Sequence, residues 1–290
     1  MSSPAASHRR PCTGLQLGLA GLVAFAAASA AALPVSAASP TETFARHSAG
    51  ATATIDHAAW NRLLQTYVVA GADGVNRVDY ARFKKEGHAT LKSYLGRLVA
   101  ADPSSLDRPE QFAYWANLYN AKTIDIVLDK YPIKSIKDIN LGGGLVALVT
   151  GGPWKAKVVK VSGQDLSLDD IEHAILRPVF KDPRVHYAVN CASFGCPNLG
   201  REAFTGAKLD AELDAAARAF LNHPRGIAID GGKVKASSIY TWFKEDFGSS
   251  DAGVLAHVAK YAEPALKEKL KGITTIADFD YDWSLNDVTR

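Results

Sequence analysis

Thiol, imidazole and carboxylate side chains are concentrated in one region of this 290-residue chain. Cys191 and Cys196 are separated by four residues and follow His186, while Glu172 and His173 lie a short distance upstream. A thiol with an imidazole base and an orienting carboxylate forms a nucleophilic catalytic site. The same types of side chain are ligands that zinc prefers. The region is therefore the candidate functional site of the chain.

Three chemistries are open to these residues. In the first, Cys191 is a nucleophile, His173 or His186 is the base that activates it, and Glu172 orients the imidazole. In the second, Cys191 and Cys196 form a disulfide, which disarms the nucleophile because only a thiolate attacks. A labile bridge would make the pair a redox switch. In the third, both cysteines and both histidines bind zinc, although their spacing matches no standard zinc finger.

A helix is predicted to carry the carboxylate and the first imidazole. Ser167 and Asp170 have the spacing of a capping box, so we expect the helix to begin at Leu168. On this helix Glu172 falls within the apolar face and His173 lies at its edge. A carboxylate on an apolar face is costly unless it is paired, so Glu172 is either salt-bridged for structure or buried for function. Its candidate partners are Arg177, Arg184 and His186.

The second imidazole is predicted to lie on a strand. Residues 185–190 alternate apolar and polar side chains, which favours a strand with His186 and Asn190 on the same side. That side leads directly into the loop that begins at Cys191. Ser193, in the same loop, lacks the G-x-S-x-G elbow of a serine hydrolase, so cysteine chemistry is favoured over serine chemistry.

A long helix over Glu110–Lys130 is predicted to support the site, with Pro109 at its start. Tyr119 lies on its apolar side, and Asn117 and Asn120 fall inside the apolar arc. An unpaired buried amide costs about 1–3 kcal/mol, so each asparagine must be hydrogen-bonded. Either they brace a loop against the helix, or one orients a catalytic imidazole or an oxyanion. The face predicted to meet solvent carries Lys122, Asp125 and Asp129.

The N-terminal residues have the pattern of a targeting segment. Residues 1–37 combine a basic start, an apolar run and a small-residue cleavage signal, which predicts a secretory signal peptide and a periplasmic or secreted protein. Residues 38–54 predict a flexible lead-in. Removing Arg9 and Arg10 with the signal lowers the formal charge from +3 to +1, which does not favour nucleic-acid binding. No membrane span is expected after cleavage, and cysteines would meet an oxidising compartment.

Residues 55–290 are predicted to form a single globular α+β domain, in which helices pack on a small, mostly antiparallel sheet. No later linker, repeat or low-complexity block divides this stretch. Glycines cluster at the ends of residues 142–152, which predicts a mobile loop. The other predicted helices are Ile55–Tyr67 and His88–Ala100, with a helical stripe over residues 209–220. The predicted strands are 155–161 and a hairpin of 226–229 with 233–235.

Five segments carry distinctive motifs: Gln111–Ala121, Ile171–His173, Asn190–Pro197, Ser238–Phe247 and Tyr281–Asn286. Together they resemble domain-of-unknown-function family 547, and the resemblance extends from about Thr54 to the C-terminus. Exported bacterial proteins are typical of that family, and plant members carry serine where Cys196 stands. The resemblance therefore implies more weight for Cys191 than for an obligatory disulfide or zinc site. It implies no established activity.

The leading hypothesis is an exported protein with a cysteine-centred pocket that performs acyl transfer or amide or ester hydrolysis at the cell envelope. No cofactor and no metal are predicted, and the envelope substrate and the oligomeric state are left open. Whether the chain is an enzyme is also open. The rival hypothesis is a non-enzymatic binding module stabilised by the cysteines. Its groove would be lined by Trp115, Tyr119, Trp242 and Trp283.

Overall fold

The computed structural model describes residues 38–141 and 152–290. The predicted signal peptide, residues 1–37, and nearly all of the loop predicted over residues 142–152 lie outside the described residues. Within the two described ranges, every helix is too short or too polar to cross a lipid bilayer.

Helices make up most of the domain, and the mixed α+β class predicted from the sequence is confirmed. The longest helix, α5, is capped at its N-terminus by Asp107, whose side chain accepts a hydrogen bond from the Glu110 amide. Pro109 in the first helical turn costs no hydrogen bond there. The helices of the described ranges are α1 (Pro40–Phe44), α2 (Ala58–Tyr67), α3 (Tyr80–Glu86), α4 (His88–Ala100), α5 (Arg108–Lys130), α6 (Asp170–Phe180, π-helical), α7 (Val185–Ala188), α8 (Leu209–Leu221), α9 (Ile239–Trp242), α10 (Asp251–Tyr261) and α11 (Pro264–Leu270).

The strands form three small sheets rather than the one sheet predicted. Two are antiparallel hairpins, and the third pairs β5 with β6 antiparallel and β6 with β7 parallel. The predicted hairpin around Gly231 is present, with Ile227 paired to Ala236. The strands are β1 (Val68–Ala70), β2 (Asn76–Val78), β3 (Val159–Val161), β4 (Gln164–Leu166), β5 (Ile227–Asp230), β6 (Lys233–Ser237) and β7 (Asp278–Asp280).

Two hydrophobic clusters hold the domain together. The larger cluster surrounds α5, where Tyr114 and Trp115 are fully buried. The smaller cluster lies between α8, α10 and the three-stranded sheet, and it includes Tyr187 and Tyr240. Because α7 contributes Val185 to the first cluster and Tyr187 to the second, the cysteine-bearing loop that follows α7 is anchored on both sides.

Residues 38–54, expected as a flexible lead-in, are packed against the domain in the structure. Ser39 and Glu42 form a reciprocal capping box that starts α1. Phe44 is buried, with its ring 4.8 Å from the ring of Trp115. The Gln111 side chain donates to the backbone carbonyl of Arg46 at 2.6 Å. Burial of Phe44 thus fixes a segment whose composition alone indicated flexibility.

The strand predicted over residues 185–190 is wrong. Residues Val185–Ala188 form one turn of helix, α7, because the Asp182 carboxylate accepts from the Arg184 amide and the Asp182 carbonyl accepts from the Val185 amide. These local bonds favour a helical turn over the extended backbone that the side-chain alternation indicated. His186 and Asn190 consequently do not share the face of a strand.

The solvent face predicted for α5 is also partly wrong. Asp125 is buried, with only 2 % of its surface exposed, whereas Asp129 is exposed. The Asp125 carboxylate accepts from Lys122 at 2.7 Å and from Lys92 at 2.9 Å, and His88 lies 2.8 Å away. Packing of α4 against α5 covers this carboxylate, and the positive partners offset the cost of its burial.

Candidate functional site

A pocket of about 170 Å³ lies where α6, the loop after α7, α9 and the C-terminal segment meet. This volume is small for a ligand site and suits a small group or the end of a larger molecule. All four predicted catalytic residues line it, together with Tyr119 and Cys196. The full lining is Tyr119, Trp154, Asp169, Glu172, His173, His186, Val189, Cys191, Cys196, Pro197, Ile239, Trp242, Phe243, Tyr281 and Trp283.

The sulfur of Cys191 is surrounded by groups that can donate hydrogen bonds. It lies 3.1 Å from the Tyr281 hydroxyl, 3.1 Å from the Ser193 hydroxyl and 2.7 Å from the sulfur of Cys196. Ser193 and Tyr281 also contact each other at 2.8 Å. Both cysteines are free, because a disulfide requires about 2.05 Å between the sulfurs.

This environment shifts the two thiols in opposite directions. Burial alone raises the pKa of the Cys191 thiol, but hydrogen bonds from Cys196, Ser193 and Tyr281 outweigh it and lower that pKa below its ordinary value. Burial and the adjacent Cys191 raise the pKa of Cys196 well above its ordinary value. Burial likewise raises the pKa of Tyr281, so its hydroxyl stays protonated and can donate. Cys191 is therefore the thiol of the pair that ionises first.

The helix begins at Leu168 as predicted, because residues 168–169 are α-helical and lead directly into the π-helical α6. The Asp170 amide donates to the Ser167 hydroxyl at 3.0 Å, and the Ser167 amide donates back to the Asp170 carboxylate at 2.7 Å. Glu172 is buried on the core side, and His173 is partly exposed at the edge of the pocket. π-Helical turns are rare and occur frequently at functional sites.

His173 is held loosely compared with the other pocket residues. Its Nδ1 lies 3.4 Å from an Arg177 guanidinium nitrogen, and its Nε2 lies 4.0 Å from the Asp169 carboxylate. Burial raises the pKa of Asp169, while the attraction of nearby His173 acts against that increase. His173 therefore keeps the freedom to approach a bound substrate.

His186 is fixed in place from three directions. Its Nε2 lies 2.7 Å from the Asp246 carboxylate, and its Nδ1 lies 3.8 Å from Glu172. Its ring stacks on Phe243, with the centroids 4.4 Å apart. Of the three partners considered for Glu172, His186 is the one found beside it. Arg177 binds Glu245 and Asp246 instead. Arg184 binds Asp182, Asp210 and Asp214.

In the described part of the chain, the side-chain hydrogen-bond partners of the Cys191 sulfur are Cys196, Ser193 and Tyr281. Neither His173 nor His186 is among these partners. The contacts of these side chains also do not favour the zinc site considered for the two cysteines and two histidines. Cys191 and Cys196 contact each other, while His173 contacts Arg177 and His186 contacts Asp246. The cluster of the described residues that could hold a metal ion is His88, Asp125 and Asp129, and lysines already bind its carboxylates.

The two asparagines of α5 brace different loops. Asn120 donates to the carbonyl of Ala188 at 2.8 Å and accepts from the amide of Asn190 at 2.7 Å, so it fixes the start of the cysteine loop. Asn117 makes the equivalent pair of bonds with the backbone of Phe204, away from the pocket. The loop-bracing interpretation is thus observed for both, and only Asn120 supports the site.

The cysteine loop is closed by its own side chains and by distant segments. Asn190 accepts from the amide of Ala192 at 2.9 Å and donates to the carbonyl of Pro197 at 2.7 Å. The half-buried guanidinium of Arg225 donates to the carbonyl of Cys196 at 2.8 Å. Gly195 donates to the carbonyl of Asp282, and a Cβ at position 195 would lie 2.8 Å from the amide nitrogen of Asp282. The loop therefore requires glycine at that position.

Aromatic rings form one wall of the pocket. Trp283 stacks on Trp242 with the centroids 5.5 Å apart, and its centroid lies 4.7 Å from that of Tyr281 and 5.6 Å from that of Trp154. Trp242 is 43 % exposed at the surface. Of the residues expected to line the groove of a binding module, Trp115 does not do so, because it is fully buried in the core.

Sequence reasoning missed three polar residues at or beside the site. Tyr281 contacts the nucleophile candidate, Asp246 holds His186, and Asp169 lines the pocket. A signal existed for two of them, because Tyr281 and Asp246 belong to segments that carried the family resemblance. Asp169 precedes His173 by one helical turn, which was a local signal for their proximity.

The fold and the site define a mixed α+β domain with a cysteine pair in an aromatic-walled pocket. Residues 103–221 match the model of the family described as "Protein of unknown function, DUF547". This match covers less than half of the chain and confirms, for residues 103–221, the family predicted from the sequence. The match contains Glu172, His173, His186 and both pocket cysteines, but not Tyr281. No curated protein and no solved structure matches the chain.

Proposed function

We propose that this protein is a cysteine-dependent acyltransferase or hydrolase that acts on an ester or amide. The observation that carries the proposal is the environment of Cys191, whose lowered pKa favours a thiolate at the wall of a pocket shared with two histidines and a glutamate. The hydrogen-bond donors around the sulfur act in the same direction as an imidazole partner would, because they stabilise the charged form of the thiol.

In the proposed reaction the Cys191 thiolate attacks the carbonyl carbon of the substrate. The new S–C bond gives a tetrahedral intermediate, which collapses as the bond to the leaving group breaks. His173, at the edge of the pocket, gives the departing oxygen or nitrogen its proton. Water or an acceptor alcohol or amine then attacks the thioester, loses a proton to His173 and releases the thiolate. Glu172 and Asp246 hold His186 and keep the floor of the pocket rigid.

The test is covalent capture by an acylating probe such as a p-nitrophenyl ester, followed by peptide mapping. Wild type should carry the acyl group on Cys191, and Cys191→Ala should carry none. Cys196→Ser is the matched control, which should still be acylated at position 191. Undiminished labelling of Cys191→Ala would refute the assignment, and so would acylation that occurs only after unfolding.

A second candidate function is a binding module without catalysis. The stacked rings of Trp242 and Trp283 beside the pocket favour it, since such walls bind ligands by contact alone. Saturable ligand binding without acylation of Cys191 would support this function over the first.

We further propose that the protein acts outside the cytoplasm, on the strength of the signal-peptide pattern in residues 1–37. The intact mass of the exported protein, alkylated in denaturant without reduction, tests both export and thiol state. A chain beginning near residue 38 with two added labels would support a free nucleophile. A chain without labels and two hydrogens lighter would show that Cys191 and Cys196 are bridged in that compartment.

A further inference from the structure

The charges that face the pocket are unbalanced. Asp169 and Glu172 line it, and the nearby Cys191 adds a third negative charge when it ionises. Among the described lining residues none is a lysine or an arginine, and the nitrogen bases are the imidazoles of His173 and His186. A ligand that enters this pocket therefore meets two carboxylates and no lysine or arginine in the described lining, while Lys155 acts on Asp169 from outside the lining.

The carboxylate of Glu172 is largely buried, and the Tyr119 hydroxyl is a hydrogen-bond neighbour of it. Its ion-pair partner is His186, at 3.8 Å, and that imidazole is already bound to Asp246 at 2.7 Å. Buried carboxylates are normally paired with a cation, because isolated burial is expensive. Among the described residues, Glu172 therefore has an imidazole and a hydroxyl beside it but no lysine or arginine ion pair.

The aromatic wall independently favours a cation. Trp154, Trp242, Trp283 and Tyr281 line the same pocket of about 170 Å³ as the two carboxylates, and the Lys137 ammonium already lies 5.2 Å from the centroid of the Trp283 ring. The faces of such rings attract ammonium groups through their quadrupole. The volume suits an ammonium on a short carbon chain rather than a large head group.

We propose that the pocket binds the ammonium group of an aminoacyl ester or amide, with the ammonium between Asp169 and Glu172 and the acyl carbonyl toward Cys191. The substrate class rests on the proposed function, but the ammonium site can be measured without any turnover. The exposed Trp242 would contact the leaving portion of the substrate at the mouth of the pocket.

The test uses calorimetric titration of Cys191→Ala with alaninamide, in both enantiomers, and with propionamide, which lacks the ammonium. At least one enantiomer of alaninamide should bind ten or more times more tightly, a difference of about 1.4 kcal/mol. Asp169→Asn in the same background should remove most of that preference. The matched control Asp165→Asn, which changes an exposed carboxylate paired with Lys160, should keep it.

Equal binding of the two amides, binding of neither, or an unchanged preference in Asp169→Asn would overturn the ammonium site. Turnover separates this outcome from failure of the proposed function. Equal, Cys191-dependent hydrolysis of the p-nitrophenyl esters of alanine and propionate would keep the hydrolase and reject the ammonium site. Ammonium-selective binding without acylation of Cys191 would support the site and reject the hydrolase.

Discussion

Replacing Tyr281 by phenylalanine should raise the pKa of the Cys191 thiol by about one to two units. The Tyr281 hydroxyl lies 3.1 Å from the sulfur and is lost in Tyr281→Phe, while the ring that packs against Trp283 remains. A hydrogen bond to a charged group contributes about 1.5–3 kcal/mol, and one pKa unit corresponds to about 1.36 kcal/mol. The Ser193 hydroxyl and Cys196 still contact the sulfur, so the pKa should not rise by the sum of all three bonds.

The measurement is the rate of Cys191 alkylation by iodoacetamide between about pH 5 and pH 10, resolved by peptide mapping so that Cys196 is counted separately. Because the thiolate is the reactive form, the rate should reach its plateau at a lower pH in wild type than in Tyr281→Phe. Tyr240→Phe is the matched control, since that buried hydroxyl lies 3.1 Å from Tyr187 rather than beside the sulfur. An unchanged profile in Tyr281→Phe, or an equal shift in Tyr240→Phe, would refute the role given to Tyr281.

Three further predictions concern parts of the domain around the site. Asn120→Ala and Asn117→Ala should each lower the free energy of unfolding by about 1–3 kcal/mol, because each removes two hydrogen bonds to a loop. Only Asn120→Ala should slow Cys191 alkylation at neutral pH. Equal slowing in both variants would contradict the loop assignment. Asp125→Asn should lower the free energy of unfolding in urea by about 3–5 kcal/mol, because it breaks the ion pairs of a buried carboxylate. The control Asp129→Asn, at a half-exposed carboxylate, should lower it by under about 1 kcal/mol. Similar losses in the two variants would show that the lysine pairs of Asp125 do not stabilise the fold. Burial lowers the pKa of His257 to about 4 in the folded protein. As the pH falls, this imidazole is therefore protonated in the unfolded chain before it is protonated in the folded protein. The resulting contribution of His257 to the free energy of unfolding, up to about 3 kcal/mol, is present above about pH 6.5 and is lost as the pH falls toward 4. His257→Gln should flatten that part of the curve of unfolding free energy against pH, and a curve as steep as that of wild type would contradict the assignment.

Local signals explain which elements the sequence predicted well. The bounds predicted for α4, His88–Ala100, are those observed, and the capping box at Ser167 is present with both reciprocal bonds. Helix periodicity and caps act within a few residues, so they can be read without knowing the rest of the fold. The placement of Glu172 on the core side of α6 followed from the same periodicity.

Elements that depend on distant contacts were predicted less well. The alternation in residues 185–190 indicated a strand, but hydrogen bonds from Asp182 select the helical turn α7. Asp125 was assigned to solvent, although α4 supplies His88 and Lys92 to cover and neutralise it. No property of the segment alone could show that a partner helix would provide those charges.

The environment of the Cys191 thiol depends on a contact between residues far apart in the sequence. Residues 103–221, which the family model covers, include Cys191 and both histidines but neither Tyr281 nor Trp242. The Tyr281 hydroxyl reaches the Cys191 sulfur across ninety positions of sequence, and the segment that carries it also receives the Gly195 amide. An isolated fragment of residues 103–221 would therefore keep the candidate catalytic side chains yet lose the hydroxyl donor to the sulfur and most of the aromatic wall. The chemistry proposed for Cys191 belongs to the complete domain, because the C-terminal segment supplies part of the environment that lowers its pKa.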